Sequence, residues 1–194
     1  MNFKLVFKLA GKTLLVAAAC MVLPLLVTLL YREDPMPFLS AMGITALAGL
    51  LLSLLRADTR FNSREGFFSA GLIWLLVGFF GALPFQFSGY FPSFVDCLFE
   101  SISGFTTTGA SILTAVEPLP KGILFWRSFI HWLGGMGILV LTIALLPSLG
   151  ARTLHVMKAE SPGPIISKLV PKSSQSSKIL YGIYFALTVV EFCF

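Results

Sequence analysis

The residues with most chemistry to offer lie between Pro92 and Ser111, in the stretch PSFVDCLFESISGFTTTGAS. Thr106-Thr107-Thr108-Gly109 sets hydroxyl and carbonyl oxygens at successive positions with no charged side chain among them. Such oxygens suit a cation stripped of its water, because a ring of carbonyls can replace the hydration shell of potassium. On the residues alone, the run either lines an ion path or is a periplasmic loop with a short interfacial helix and a Thr-rich turn. Asp96 and Glu100 stand just upstream; they either concentrate cations at a mouth or are satisfied by local donors. Arg127 and His131 are four residues apart, hence on one helical face. Their expected role is structural: Arg127 pairs with Glu100 or reaches an interface, and His131 makes an internal hydrogen bond. Sensing of ions or protons is the other option.

Two further chemistries are weighed and set aside. Ser101 or Ser103 with His131 would make an intramembrane hydrolase if the imidazole reached a hydroxyl. The frame Ser101-Ile102-Ser103-Gly104 lacks the first glycine of the Gly-x-Ser-Gly frame of rhomboid-like proteases. Gly134-Gly135-Met136-Gly137 resembles a dinucleotide loop, but it lies in an apolar run with no strand before it, so helix packing or breaking is expected. Cys20, Cys97 and Cys193 have no metal-ligand spacing and read as small buried apolar residues. No enzyme activity and no cofactor are expected.

The local signals suggest how the oxygen-rich run is held. Ser93, with Asp96 three residues on and Pro92 just ahead, predicts a helix start. A helix over 93–104 would be roughly 16 Å long, about half the hydrocarbon thickness of a bilayer. Phe94, Cys97, Leu98 and Ile102 recur at helical spacing and offer an apolar packing face. Gly104 reads as the terminator, and the free carbonyl end would favour a cation. Residues 105–111 are then expected to return as an extended filter strand, because β-branched residues prefer extended backbone. An irregular backbone at that depth is tolerable only where it is buried or lines a watery path.

The rest of the chain supplies membrane spans. Of 194 residues, 56% are hydrophobic and 12% charged, and the mean hydropathy is +0.88. A soluble domain carries about 25% charge, so an all-α integral membrane protein is expected. Spans are read at about 13–30, with a kink at Pro24, at 38–55, and at 66–85. Small residues for close packing are Ser40, Ala41, Gly43, Ala46, Ala48 and Gly49 in the second and Gly71, Gly78 and Gly81 in the third. The apolar segment Gly122–Leu149 has 28 residues, about 42 Å if helical, so it must tilt, break or project. Residues 151–178 read as a hydrophilic linker. The run 179–194 has 16 residues, short of a span, and suggests a piece of a longer protein.

Charge sets the orientation. Lys4, Lys8 and Lys12, then Arg56, Arg60 and Arg64, then Arg152, Lys158, Lys168, Lys172 and Lys178 make up 11 of the 14 basic residues. They alternate with segments holding only Arg32 and Lys121. A cytoplasmic N-terminus satisfies every loop, provided that 92–111 re-enters rather than crosses. The net charge of +5 thus reports topology, and no nucleic-acid partner is expected.

Thr-Thr-Gly is similar to the Thr-Val-Gly part of a potassium-channel filter, without the following Tyr-Gly. Four stretches in order, Gly81-Ala-Leu-Pro84, Phe99-Glu-Ser-Ile-Ser-Gly-Phe-Thr-Thr-Thr-Gly-Ala110, Trp132-Leu-Gly-Gly-Met-Gly-Ile138 and Ala159-Glu-Ser-Pro-Gly-Pro164, resemble the TrkH family. These are the membrane subunits of bacterial Trk potassium uptake systems, within the Trk/Ktr/HKT superfamily. The resemblance implies two N-terminal transmembrane helices (1–65), one helix–pore-loop–helix repeat (66–150) and the truncated first helix of a second (179–194), out of four repeats around one potassium pathway. It also implies potassium held at Thr107, Thr108 and Gly109, a homodimer among membrane lipids of the bacterial inner membrane, and a cytosolic nucleotide-binding TrkA-type regulatory subunit. Channel-like movement and symport are both left open. The alternative to a conducting subunit is a non-conducting membrane assembly subunit.

Overall fold

A computed structural model describes residues 3–55, 63–145 and 173–193. The chain divides into two units, residues 1–135 and 136–194. Every described regular element is a helix. They are α1 Phe3–Cys20, α2 Val22–Leu30, α3 Met36–Ser53, α4 Ser63–Gly81, α5 Leu83–Ser88, α6 Phe94–Phe105, α7 Lys121–Leu145 and, in the second unit, α8 Ser173–Cys193. Among the described residues, three stretches are long and apolar enough to cross a membrane: Phe3–Leu30, Met36–Ser53 and Phe68–Ser88. At 25 residues, α7 rises about 37 Å, enough length to cross as well.

The kink expected from Pro24 is present as the break at Met21 between α1 and α2. Proline has no N–H for the carbonyl four residues back, so the helix gives way one turn upstream. A second break at Ala82 separates α4 from α5, with Pro84 in the first turn of α5. α1 and α3 meet at glycine: a Cβ on Gly11 would lie 2.5 Å from the Ser53 nitrogen, and one on Gly49 3.0 Å from the Gly11 carbonyl oxygen. Without side chains the two backbones touch, the usual device for helix association in lipid. Not every small residue serves this purpose. Gly43 and Gly71 have open space around them, and Ser40 is exposed.

The core of the first unit gathers Met21, Phe38, Ala82, Phe85, Cys97, Phe105, Ile123, Trp126 and Ile130. Long aliphatic side chains elsewhere point outward, such as Leu47 and Leu75 at 60% and 67% exposure, as a lipid-facing surface requires. The residues expected as a linker, 151–178, lie outside the described residues up to 172. Its last six are helical, because α8 begins at Ser173, two residues after Pro171.

Candidate ion-binding loop

α6 starts as the sequence predicts. Ser93 Oγ accepts from the Asp96 N–H at 3.3 Å, and Asp96 Oδ2 accepts from the Ser93 N–H at 3.1 Å, a reciprocal capping box. The expected apolar face packs: Cys97 is buried, Phe94 and Leu98 are half-buried, and Ile102, though 37% exposed, lies against α4, where a Cβ on Gly78 would be 2.9 Å from Ile102 Cγ1. The polar side, Glu100, Ser101 and Ser103, is buried as well. The reason is the neighbours: α6 lies against Gly81 on one side and α7 on the other. A Cβ on Gly81 would meet Phe105 at 2.5 Å and Ser101 Oγ at 2.8 Å.

Gly104 does not end the helix. A Cβ there would lie 2.4 Å from Ile130 Cδ1, so this glycine allows α7 to approach. The helix ends at Phe105 with Thr106 as its cap, and the left-handed residue is Thr107, at φ +57°. The Thr107 N–H donates to the Gly104 carbonyl and the Thr108 N–H to the Ser103 carbonyl, both at 3.0 Å. That is a Schellman stop with a β-branched residue where glycine is usual. Two expectations therefore change. Residues 106 and 107 are turned rather than extended, and the carbonyls of Ile102, Ser103 and Gly104 are consumed by the cap.

Beyond the stop, Gly109 has φ +74°, and the chain turns back. Ser103 Oγ donates to the Ala110 carbonyl at 2.6 Å. Glu100, 1% exposed, binds the next two residues: Ser111 Oγ donates across its carboxylate at 3.0 and 3.1 Å, and the Ile112 N–H donates to Oε2 at 3.2 Å. Arg127 Nε donates to Glu100 Oε1, so the pair expected from the sequence is formed. His131 Nδ1–H donates to the Arg127 carbonyl at 2.9 Å. Both Asp96 and Glu100 are thus satisfied by local donors.

The outcome is an unusual polarity of backbone. The N–H groups of Thr106, Thr107 and Thr108 turn inward onto α6. The carbonyls of Thr106, Thr107, Thr108 and Gly109 accept no hydrogen bond among the described residues. Thr106 and Thr108 hydroxyls lie 2.8 Å apart, and residues 106–111 are all exposed on this chain. Glu100, backed by Arg127, holds the limb that follows Gly109, while Asp96 caps the opposite end of α6 and does not reach the loop. The serine hydrolase arrangement is not formed. Ser103 is committed to Ala110, Ser101 Oγ is buried without a partner, and the His131 Nδ1–H is bonded to Arg127.

Depth follows from α7. Glu33, in the turn after α2, accepts from the Lys121 and Gly122 N–H groups at 2.6 and 2.9 Å, capping α7 from 88 residues away. A cleft of ≈ 500 Å³ at this end is lined by Glu33 and Asp34, by Ser88 and Tyr90, and by Pro118 and Leu119. The segment 90–120 therefore leaves from and returns to one end of the helices. Its inner tip, Phe105, sits at Gly134, where a Cβ would lie 2.1 Å from the Phe105 carbonyl oxygen. From Lys121 to Gly134 is about 20 Å of helix. The sequence gives no direct sign of Glu33, though one clue existed. α7 opens Pro120-Lys121-Gly122 with no Ser, Thr, Asp or Asn to cap it, so an acceptor had to come from elsewhere.

An all-helical integral membrane protein, with a short helix packed between two others and followed by an exposed oxygen-rich loop, is the class that fold and loop define. Residues 36–194 match the family described as TrkH, cation transport protein, and the chain belongs to that family. It is 40% identical over 194 residues to the Trk system potassium uptake protein TrkH of Halomonas elongata, covering 97% of this chain and 40% of that protein. The Trk system potassium uptake protein TrkH of Escherichia coli K12 is 39% identical over 197 residues with the same coverage. The crystal structure of the potassium transporter TrkH from Vibrio parahaemolyticus superposes with a TM-score of 0.81 at 34% identity, over 98% of this chain and 38% of that one. The chain thus spans about 40% of the length of the curated relatives it matches.

Proposed function

We propose that this chain supplies one arc of a potassium-selective pathway, as part of the translocating subunit of a Trk-type uptake system. The observation that carries the reading is the loop polarity: inward N–H groups, and carbonyls of Thr107, Thr108 and Gly109 that accept no hydrogen bond among the described residues. Left-handed backbone at Thr107 and Gly109 breaks the alternation of carbonyls that an extended strand would impose. The names of the relatives supply potassium as the cargo. The charge pattern supports a cytoplasmic N-terminus, with segment 90–120 re-entering from the outer face of a bacterial inner membrane. The regions rich in Lys and Arg then face the cytoplasm, where a TrkA-type regulatory subunit would touch 151–178. A homodimer follows from the resemblance alone. The protein moves an ion and transforms no substrate.

The test uses the full-length protein reconstituted in lipid vesicles, with rubidium uptake as the readout. Gly109→Asp keeps a residue tolerant of left-handed backbone but adds a carboxylate at the ion's position. Uptake or its selectivity for rubidium over sodium should be lost; uptake at the unmodified rate and selectivity would overturn the assignment of Gly109.

A further inference from the structure

We infer that the Glu100–Arg127 pair, with Ser111, is a clasp that sets the spacing of the Thr107–Gly109 oxygens and thereby the discrimination between potassium and sodium. The inference rests on the reading that those oxygens hold the ion. It concerns residues that do not touch it.

The loop is fixed at two points only three residues apart in the chain. On the inward side, the Schellman bonds tie Thr107 and Thr108 to the end of α6. On the outward side, Ser103 ties Ala110, and Glu100 ties Ser111 and Ile112. Gly109 therefore bridges two anchors with almost no slack, and the carbonyls of Thr107 and Thr108 lie at the inward one. A shift of the outward anchor has to appear as a shift of the Gly109 carbonyl relative to theirs. Selectivity by carbonyls depends on the size of the cage or on the number and field of its oxygens, and both change when one limb moves.

Glu100 is the node of the outward anchor. Its oxygens take donors from α7 through Arg127, from the side chain of Ser111 and from the backbone of Ile112. With three donors on a carboxylate that is 1% exposed, no oxygen is left to act as a free mouth charge. Arg127 is itself steadied, because its carbonyl holds His131 and its side chain is only 22% exposed. A buried carboxylate holds its geometry strictly, since removing one partner leaves an uncompensated charge in a low-dielectric site. Ser111 also accepts from the Leu113 N–H at 3.1 Å, which carries the clasp one residue further along the return limb.

The decisive variant is Ser111→Ala in the full-length protein, because it removes one donor and leaves the buried ion pair intact. In vesicles, the ratio of rubidium to sodium uptake should fall by about tenfold or more, on the scale of one hydrogen bond to a charged group. Its melting temperature should fall by the cost of that one bond, with the protein still assembled and still taking up rubidium. Ser111→Thr, which restores a hydroxyl, should recover the ratio. Glu100→Gln, where it assembles, should lower the ratio further. An unchanged ratio in Ser111→Ala overturns the inference while leaving the ion-holding role of Thr107–Gly109 in place. An unmodified protein that takes up no rubidium overturns both.

Discussion

Replacing Gly134 with alanine tests whether α7 sets the position of the loop. A Cβ at this position would lie 2.1, 2.7 and 2.9 Å from the oxygen, carbon and Cα of Phe105. All three are backbone atoms, so no side-chain rotation relieves the overlap. Real Cβ contacts stop near 3.0 Å, so α7 and the end of α6 must part by about 0.9 Å. Overpacking of this kind costs about 1–3 kcal/mol, against a gain of about 1 kcal/mol from alanine's helix propensity. With rigid backbone on one side, the upper part of that range applies, for a net loss of about 2 kcal/mol. The movement falls at Phe105, two residues before Thr107, so transport should suffer more than stability. Thermal unfolding of the purified full-length protein and its rubidium uptake in vesicles are the paired assays. Gly43→Ala is the control, since among the described residues no other element lies within 4 Å of a Cβ there; it should melt at or above the unmodified protein. A Gly134→Ala protein that melts and transports like the unmodified one would refute the close approach of α7 to Phe105.

Thr107→Gly should raise the melting temperature, because a left-handed β-branched residue costs about 1–2 kcal/mol that glycine does not, less the entropy that glycine loses on folding. A fall in melting temperature would mean that Thr107 is not left-handed. Glu33→Gln removes a charge from the N-terminus of α7, an effect of about 0.3–1 kcal/mol. Hydrogen exchange at the Lys121 and Gly122 amides should speed up by about two- to fivefold, and unchanged exchange would show that Glu33 does not cap this helix.

What the sequence made legible, and what it did not, follows from the range of the interactions. The start of α6 was legible because a capping box is local, written in Ser93 and Asp96 alone. The Arg127–Glu100 pair was legible because a charge in an apolar helix needs a partner, and few were on offer. The end of α6 was misread for a different reason. Glycine has two uses, left-handed backbone and close approach, and sequence cannot tell them apart. Gly104 serves the second because Ile130 lies against it, a fact held 26 residues downstream. The left-handed position then fell to Thr107, where propensity argues for extended backbone. Local preference lost to the bonds that Ser103, Glu100 and Ser111 make across the turn.

Arg32 and Thr107 carry this logic one step further. They are the two non-glycine residues with positive φ among the described residues, and both end a helix in the same way. The Arg32 N–H donates to the Leu29 carbonyl at 3.2 Å and the Glu33 N–H to the Thr28 carbonyl at 2.9 Å, repeating the pattern at Thr107 and Thr108. In each case the residue after the strained one starts a segment that ends on α7 or on a side chain bound to it. Glu33 caps α7 at Lys121, and the limb after Thr108 reaches Arg127 through Glu100. Residues held against their preference persist only where the surroundings over-determine them. Here the common determinant is α7, anchored at its first turn by Glu33, near its second by Arg127, and at Gly134 by Phe105. The depth of the oxygen-rich loop is therefore measured along α7, from a carboxylate that belongs to the N-terminal helices. That gives the two N-terminal helices a task beyond spanning the membrane: through Glu33 they fix the level from which the loop is hung.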